Sequence, residues 1–168
     1  SLSLLCRNIC NSLNDSPIWV YSSNDGMIAT SHLVKIVERR TLLLLLPLRL
    51  GLQEVNSLYF DFITGALQLP SSVGIVGGTP GRSLYFVGCQ EEELLFLDPH
   101  ILRPTPFAAA SAPDLVAEFH TDRVLSIPVK EMDPSMMFGF VCANREEVIK
   151  LTDQLTALNN LASILNIQ

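Results

Sequence analysis

Asp98 and His100 stand on either side of one proline at the end of "SLYFVGCQEEELLFLDPH", and their types and spacing suit acid–base chemistry. In extended backbone, residues i and i+2 project to the same side. The two side chains can therefore lie together, with Pro99 stiffening the backbone between them. A carboxylate touching one imidazole nitrogen fixes the tautomer and strengthens the other nitrogen as a base. That is the base-and-acid part of a nucleophile–base–acid constellation. The same tripeptide is also a good turn, since Asp-Pro commonly stops a strand, and the spacing alone leaves both readings open. If the pair forms, an imidazole nitrogen and a carboxylate oxygen should approach to roughly 2.6–3.2 Å and face a cleft.

Other candidates for chemistry are weaker. A serine nucleophile on a tight turn would call for GxSxG, which does not occur. His32 lies near the start of a predicted helix and reads as a surface residue, while His120 has no obvious carboxylate partner except Asp122. "GIVGGTPGR" is glycine-rich, but it lacks the GK[ST] ending of a phosphate loop, the dinucleotide fingerprint and a nearby lysine. It reads as a flexible connection between strands. Gly77, Gly78 and Gly81 lower the barriers to backbone change and Pro80 interrupts ladder pairing, so a mobile flap is expected rather than a tight hairpin.

The four cysteines, Cys6, Cys10, Cys89 and Cys142, follow neither a disulfide framework nor a CxxC zinc pattern. Cys6 and Cys10 are one helical turn apart, without a second ligand pair. No metal or cofactor is expected, and a reducing, cytosolic setting is the default. Cys89 lies nine residues before Asp98, but a small buried residue is the ordinary role for it and for Cys142.

These residues need a framework. The chain has 168 residues, 48% of them hydrophobic, enough for one domain with a real core. The net charge is −6, and no basic cluster exceeds Arg39-Arg40, which argues against broad binding to nucleic acid or an anionic membrane. "TLLLLLPLRLGL" is too short and too interrupted to span a bilayer.

"LSLLCRNICNSLN" has the helical spacing Leu2, Leu5, Ile9, Leu13. "PIWVYSS" reads as a strand before the turn Asn24-Asp25-Gly26. "TSHLVKIVERR" reads as a helix capped by Thr30 or Ser31, and residues 42–46 as a buried strand ended by Pro47. Residues 52–67 are most simply one helix with an aromatic face. "SSVGIVGG", "SLYFVGC" and "ELLFLD" read as antiparallel strands separated by "TPGR" and "QEEE". "RPTPFAAASAPD" reads as an exposed loop, and "VLSIPV" and "MFGFVC" as two further strands. Asn144 with Glu147 three residues on is a capping box, opening a helix with the apolar stripe Val148, Leu151, Leu155, Leu158, Ala162, Leu165. Mixed elements without regular βαβ alternation give an α+β class.

Three stretches, "PLRLGLQEVNSLYF", "SSVGIVGGTPGRSLYFVGCQEEELLFLDPH" and "FHTDRVLSIPVKEMDPSMMFGFVC", resemble the Atg4 family in order and spacing. These are the autophagy cysteine proteases that process Atg8/LC3-like ubiquitin-like proteins. The match runs over residues 42–142, and more faintly over 19–40. It implies a papain-like fold, partial here, with a mainly antiparallel sheet and flanking helices. Residues 41–168 would be the C-terminal part of the protease domain, and 1–40 a small auxiliary part with connecting helices.

Asp98 and His100 fall on the family's acid and base. Gly77, Gly78, Thr79, Pro80, Gly81 and Arg82 fall on its regulatory loop, with residues 79–82 as the tip, which covers the cleft until the substrate tail lifts it. The implied reactions are cleavage after a C-terminal glycine and release of the modifier from phosphatidylethanolamine, so a membrane is met only through the lipidated partner.

The family's nucleophile lies in a "GWGCM"-type segment ahead of "PLRLG", and no such segment occurs here. The resemblance places neither the family's oxyanion-stabilising tyrosine nor its cleft tryptophan, which lie upstream in the family, on a residue of this sequence. The chain therefore reads as the C-terminal part of such a protease, inactive alone, with the remaining N-terminal part as a partner. The alternative is a non-catalytic module that binds an Atg8-like protein.

Overall fold

A computed structural model of the protein describes residues 2–12, 16–23, 26–102 and 120–168. Its centre is a leucine-rich strand, β3 (Thr41–Arg49), in which Leu42, Leu44 and Leu46 are fully buried at two-residue intervals. Strand periodicity puts such a set on one face, and here that face meets helices. The other strands are β1 (Ile18–Ser22), β2 (Met27–Ile28), β4 (Ser72–Thr79), β5 (Arg82–Gln90), β6 (Glu93–Leu97), β7 (Leu125–Pro128), β8 (Ser135–Cys142) and β9 (Asn166–Ile167). Seven of them form one sheet in the order β1-β3-β8-β4-β5-β6-β7. Only β1–β3 pair parallel within it; the rest is antiparallel. β2 and β9 make a separate parallel pair.

Among the described residues four α-helices accompany the sheet: α1 (Leu2–Ser12), α2 (Thr30–Val37), α3 (Phe60–Leu67) and α4 (Arg145–Ala162). The core lies between α2, α3, α4 and the sheet face bearing Leu44, Ile75, Phe86, Phe96 and Phe138. Phe62 of α3 meets Phe138 of β8 edge to face, ring centroids 5.5 Å apart, an arrangement aromatic rings favour. α1 closes the free edge of β1: the Asn11 carboxamide accepts from the Val20 N–H and donates to the Val20 carbonyl, both at 2.9 Å. This substitutes for a neighbouring strand and blunts an edge open to association. β1 pairs in register with β3, so the segments before and after residue 40 share one sheet.

Several expectations are corrected. Pro47 does not end β3, which continues to Arg49. The Leu45 carbonyl faces β1, accepting the Ser23 N–H, and Pro47 two residues on faces the same way, past the last paired residue of β1. Its missing N–H therefore breaks no ladder bond. The cap of α2 is neither Thr30 nor Ser31 but Ala29, which offers no side-chain bond. The Thr30 N–H goes instead to the Gln168 carbonyl at 2.8 Å, so the residue just past β9 satisfies a helix terminus that sequence reading assigned to a side chain. The helix expected over residues 52–67 begins only at Phe60, after a 3-10 turn (Ser57–Tyr59) whose Leu58 N–H donates to the Asn56 side chain. Ahead of it the chain doubles back, with Gly51 bridging Val55.

The Asn144 cap is as expected: its side chain accepts the Glu147 N–H at 3.0 Å. Glu147 returns to the Ala143 N–H at 2.7 Å. The expected loop at residues 103–114, Leu13 of the first apolar pattern, and Asn24-Asp25 of the predicted turn lie outside the described residues.

Candidate active site

β5 and β6 build the site. Leu84, Phe86, Leu94 and Phe96 point into the core at two-residue intervals. Asp98 continues that inward parity just past the strand end, which leaves its side chain only 11% exposed, against 57% for His100. Oδ1 of Asp98 lies 2.8 Å from Nδ1 of His100 and also accepts the His100 backbone N–H at 3.0 Å. Spacing around Pro99 therefore brings the two residues together. Asp98, Pro99 and Ile101 border a cavity of about 360 Å³ that Thr121, Arg123 and Leu125 also line.

The other oxygen, Oδ2, is bound by the guanidinium of Arg82. Tyr85 pairs with Leu97, the last residue of β6, so Asp98 just beyond it falls opposite Leu84, with Arg82 as its diagonal neighbour. Diagonal neighbours across a ladder are within reach of a long side chain. The His100 backbone N–H, then Arg82, then the His100 ring hold the Asp98 carboxyl well below the usual carboxylate range, against a smaller opposing effect of burial. Sequence reading placed Arg82 on the covering loop but missed its hold on the acid, because the signal is ladder register, which only pairing sets.

The glycine-rich segment is a hairpin, contrary to the expectation of a loosely paired flap. Pairing continues through Gly77–Leu84, Gly78–Ser83 and Thr79–Arg82, leaving Pro80-Gly81 as the turn. Gly81 has φ +81°, and proline followed by such a glycine is the pattern of a type II turn. Beyond Val76, β4 no longer pairs with β8, so the hairpin projects. The Asp133 N–H ties it back, donating to the Gly78 carbonyl at 2.7 Å. Between the two runs a groove of about 430 Å³, to which Gly77, Gly78, Thr79, Gly81 and Arg82 all contribute. Pro80 is at the exposed tip.

None of the four cysteines lies beside His100. Cys89 pairs with Leu94, four residues or about 13 Å along the strand from Asp98. Its Sγ donates to the Thr64 carbonyl of α3 at 3.6 Å. Cys142 is fully buried on β8, three strands from β6, or about 14 Å. Burial, then the nearby Glu147 charge, pushes its thiol up to about 11. Cys6 and Cys10 are on α1 against β1, five strands from β6 and roughly 24 Å away. Among the described residues, no group of three His, Cys, Asp or Glu gathers as metal ligands.

A mainly antiparallel sheet with packed helices, carrying an acid and an imidazole at one strand end, is the arrangement of a papain-like protease domain. The family description "Peptidase C54 catalytic domain" matches residues 2–154, and the chain belongs to this cysteine protease family. It is 39% identical over 138 residues to the "Probable cysteine protease atg4" of Aspergillus niger, covering 76% of this chain and 34% of that protein. Against the protein of the same description from Meyerozyma guilliermondii it is 36% identical over 157 residues, 92% of this chain and 36% of the relative. Against "Cysteine protease ATG4C" of Xenopus tropicalis it is 38% identical over 118 residues, covering 70% and 26%. The chain thus spans about a third or less of the length of these curated relatives.

Proposed function

We propose that this chain is the base-and-acid part of a cysteine protease that cleaves Atg8/LC3-like ubiquitin-like proteins after a C-terminal glycine. The observation that carries the reading is the 2.8 Å contact of His100 Nδ1 with Asp98, which leaves Nε2 as the working nitrogen. The thiol comes from the N-terminal part of the protease. Nε2 takes the thiol proton, and sulfur attacks the carbonyl carbon of the glycine. The resulting imidazolium then protonates the departing amine. Water, activated by Nε2, hydrolyses the thioester and restores the thiol.

The same chemistry releases the modifier from phosphatidylethanolamine, whose amine replaces the peptide nitrogen as leaving group. The setting is the reducing cytosol. The projecting hairpin (residues 77–82) covers the cleft and swings as a paired unit when the substrate tail enters. Its freedom from β8 beyond Val76 supports this.

Alone, the chain is inactive, because its four cysteines are too far from His100. That same distance favours the second reading, a non-catalytic module that binds an Atg8-like protein. The test is incubation with an Atg8-like precursor, first alone and then with the cysteine-bearing segment of a relative. Cleavage only in the mixture supports the protease part. Tight binding without cleavage in either case favours the module, and cleavage by the chain alone, abolished by Cys89→Ser, overturns the assignment of the nucleophile.

A further inference from the structure

We propose that Arg82 is a positioning residue for the Asp98–His100 pair, holding the carboxylate in the one rotation that presents Oδ1 to the imidazole. The inference rests on the protease reading for its consequence, but not for its geometry.

Both contacts to His100 use Oδ1, the ring Nδ1 at 2.8 Å and the backbone N–H at 3.0 Å. The last torsion of an aspartate is broad and roughly two-fold. A carboxylate tied at one oxygen can therefore rock and exchange its oxygens. Arg82 occupies Oδ2 and closes that motion. Its own backbone is held by the Thr79 pairing, and the Asp133–Gly78 bond holds the hairpin in the position from which Arg82 reaches Asp98. The Arg82 side chain is half exposed while that of Asp98 is nearly covered, so Arg82 reaches inward to the acid from the rim. An ionised, immobile Asp98 accepts the Nδ1–H and commits the ring to one tautomer, with its lone pair on Nε2. Arg82 acts through Asp98 and touches no reacting atom.

Arg82 also starts β5, immediately after the turn that the proposed function assigns to the moving hairpin. The grip on the acid is therefore set by the position of the hairpin. A planar fork suits a carboxylate better than an ammonium, so lysine should replace arginine only in part.

The test begins with nitrogen-detected spectra of the imidazoles in the 168-residue chain. His32 and His120 are identified by substitution. In the parent chain His100 should show the Nδ1–H tautomer with a slowly exchanging proton. Arg82→Gln should mix the tautomers and speed that exchange, Arg82→Lys should do so less, and the backbone amide spectrum away from the strand ends should be unchanged. In the mixture with the cysteine-bearing segment, Arg82→Gln should lower kcat roughly 10- to 100-fold with KM within about twofold. An unchanged imidazole spectrum overturns the proposal. So does faster turnover, which would make Arg82 a brake. If the parent mixture shows no cleavage, the protease reading fails, while the imidazole spectra still decide the role of Arg82.

Discussion

One oxygen of Asp98 serves His100 twice, at the ring and at the backbone, while the other serves Arg82. Every partner of this carboxylate is a donor. Asparagine at position 98 could satisfy His100 through its carbonyl only by turning its NH2 toward the guanidinium, donor against donor. Asp98→Asn should therefore lower kcat of the assembled enzyme by on the order of 10³-fold or more, with the fold intact. Steady-state kinetics checks this, with thermal unfolding as the control. A loss under tenfold would remove Asp98 from the machinery.

The same contacts set the acid behaviour. Asp98 titrates below the ordinary 3.8 in the folded chain, so its contribution to stability is fully present above that value. It is lost as pH falls below 3.8 toward the depressed folded value, because there the unfolded chain binds the extra proton first. Carboxyl carbon shifts followed from neutral to acid pH should show Asp98 still ionised well below 3.8. In Arg82→Gln its midpoint should move up. A midpoint at the ordinary value in the parent chain would contradict the geometry.

Gly78 and Gly81 separate backbone strain from steric conflict. At Gly81, φ +81°, an added Cβ meets nothing within 4 Å, so Gly81→Ala should cost about 1 kcal/mol. At Gly78, φ +152°, the Cβ would lie 1.9 Å from the Arg82 carbonyl oxygen. Gly78→Ala should cost roughly 2–4 kcal/mol and displace Arg82 from Asp98. Denaturant unfolding of the two variants decides the order, and equal costs would show that the hairpin yields freely.

Cys142 should be inert in the folded chain. Alkylation at about pH 8 should modify it only on unfolding. Its raised folded value means that its contribution to stability is present below 9.0 and lost as pH rises through about 11, the unfolded thiol ionising first. Mass spectrometry of labelled peptides checks the first point and alkaline unfolding the second. Rapid native labelling of Cys142 would show that the β8–α4 packing opens.

Sequence alone determined what covalent geometry and nearest neighbours control. The Asn144 cap needs only the three residues that follow, and the stripe Val148, Leu151, Leu155 needs only the helical repeat. The meeting of Asp98 and His100 needs only their two-residue spacing, here across a turn at Pro99-His100 in which the Asp98 side chain takes the His100 N–H, rather than the extended backbone expected. The outlines of β4, β5 and β6 followed from apolar runs between turn residues for the same reason.

Tertiary structure decided what depends on a distant partner. Pro47 can sit inside β3 because the pairing with β1 stops two residues earlier, at Leu45, and the Thr30 N–H finds Gln168, just past β9, instead of a cap. The glycine-rich segment pairs to its tip because Gly78 and Gly81 accept backbone angles that the hairpin imposes. Arg82 reaches Asp98 because the β5–β6 register sets them on one diagonal. Side-chain direction has a fixed period along one strand, whereas register is chosen by the joint burial of both strands against the helices. That choice is written across the whole chain and in no single stretch of it.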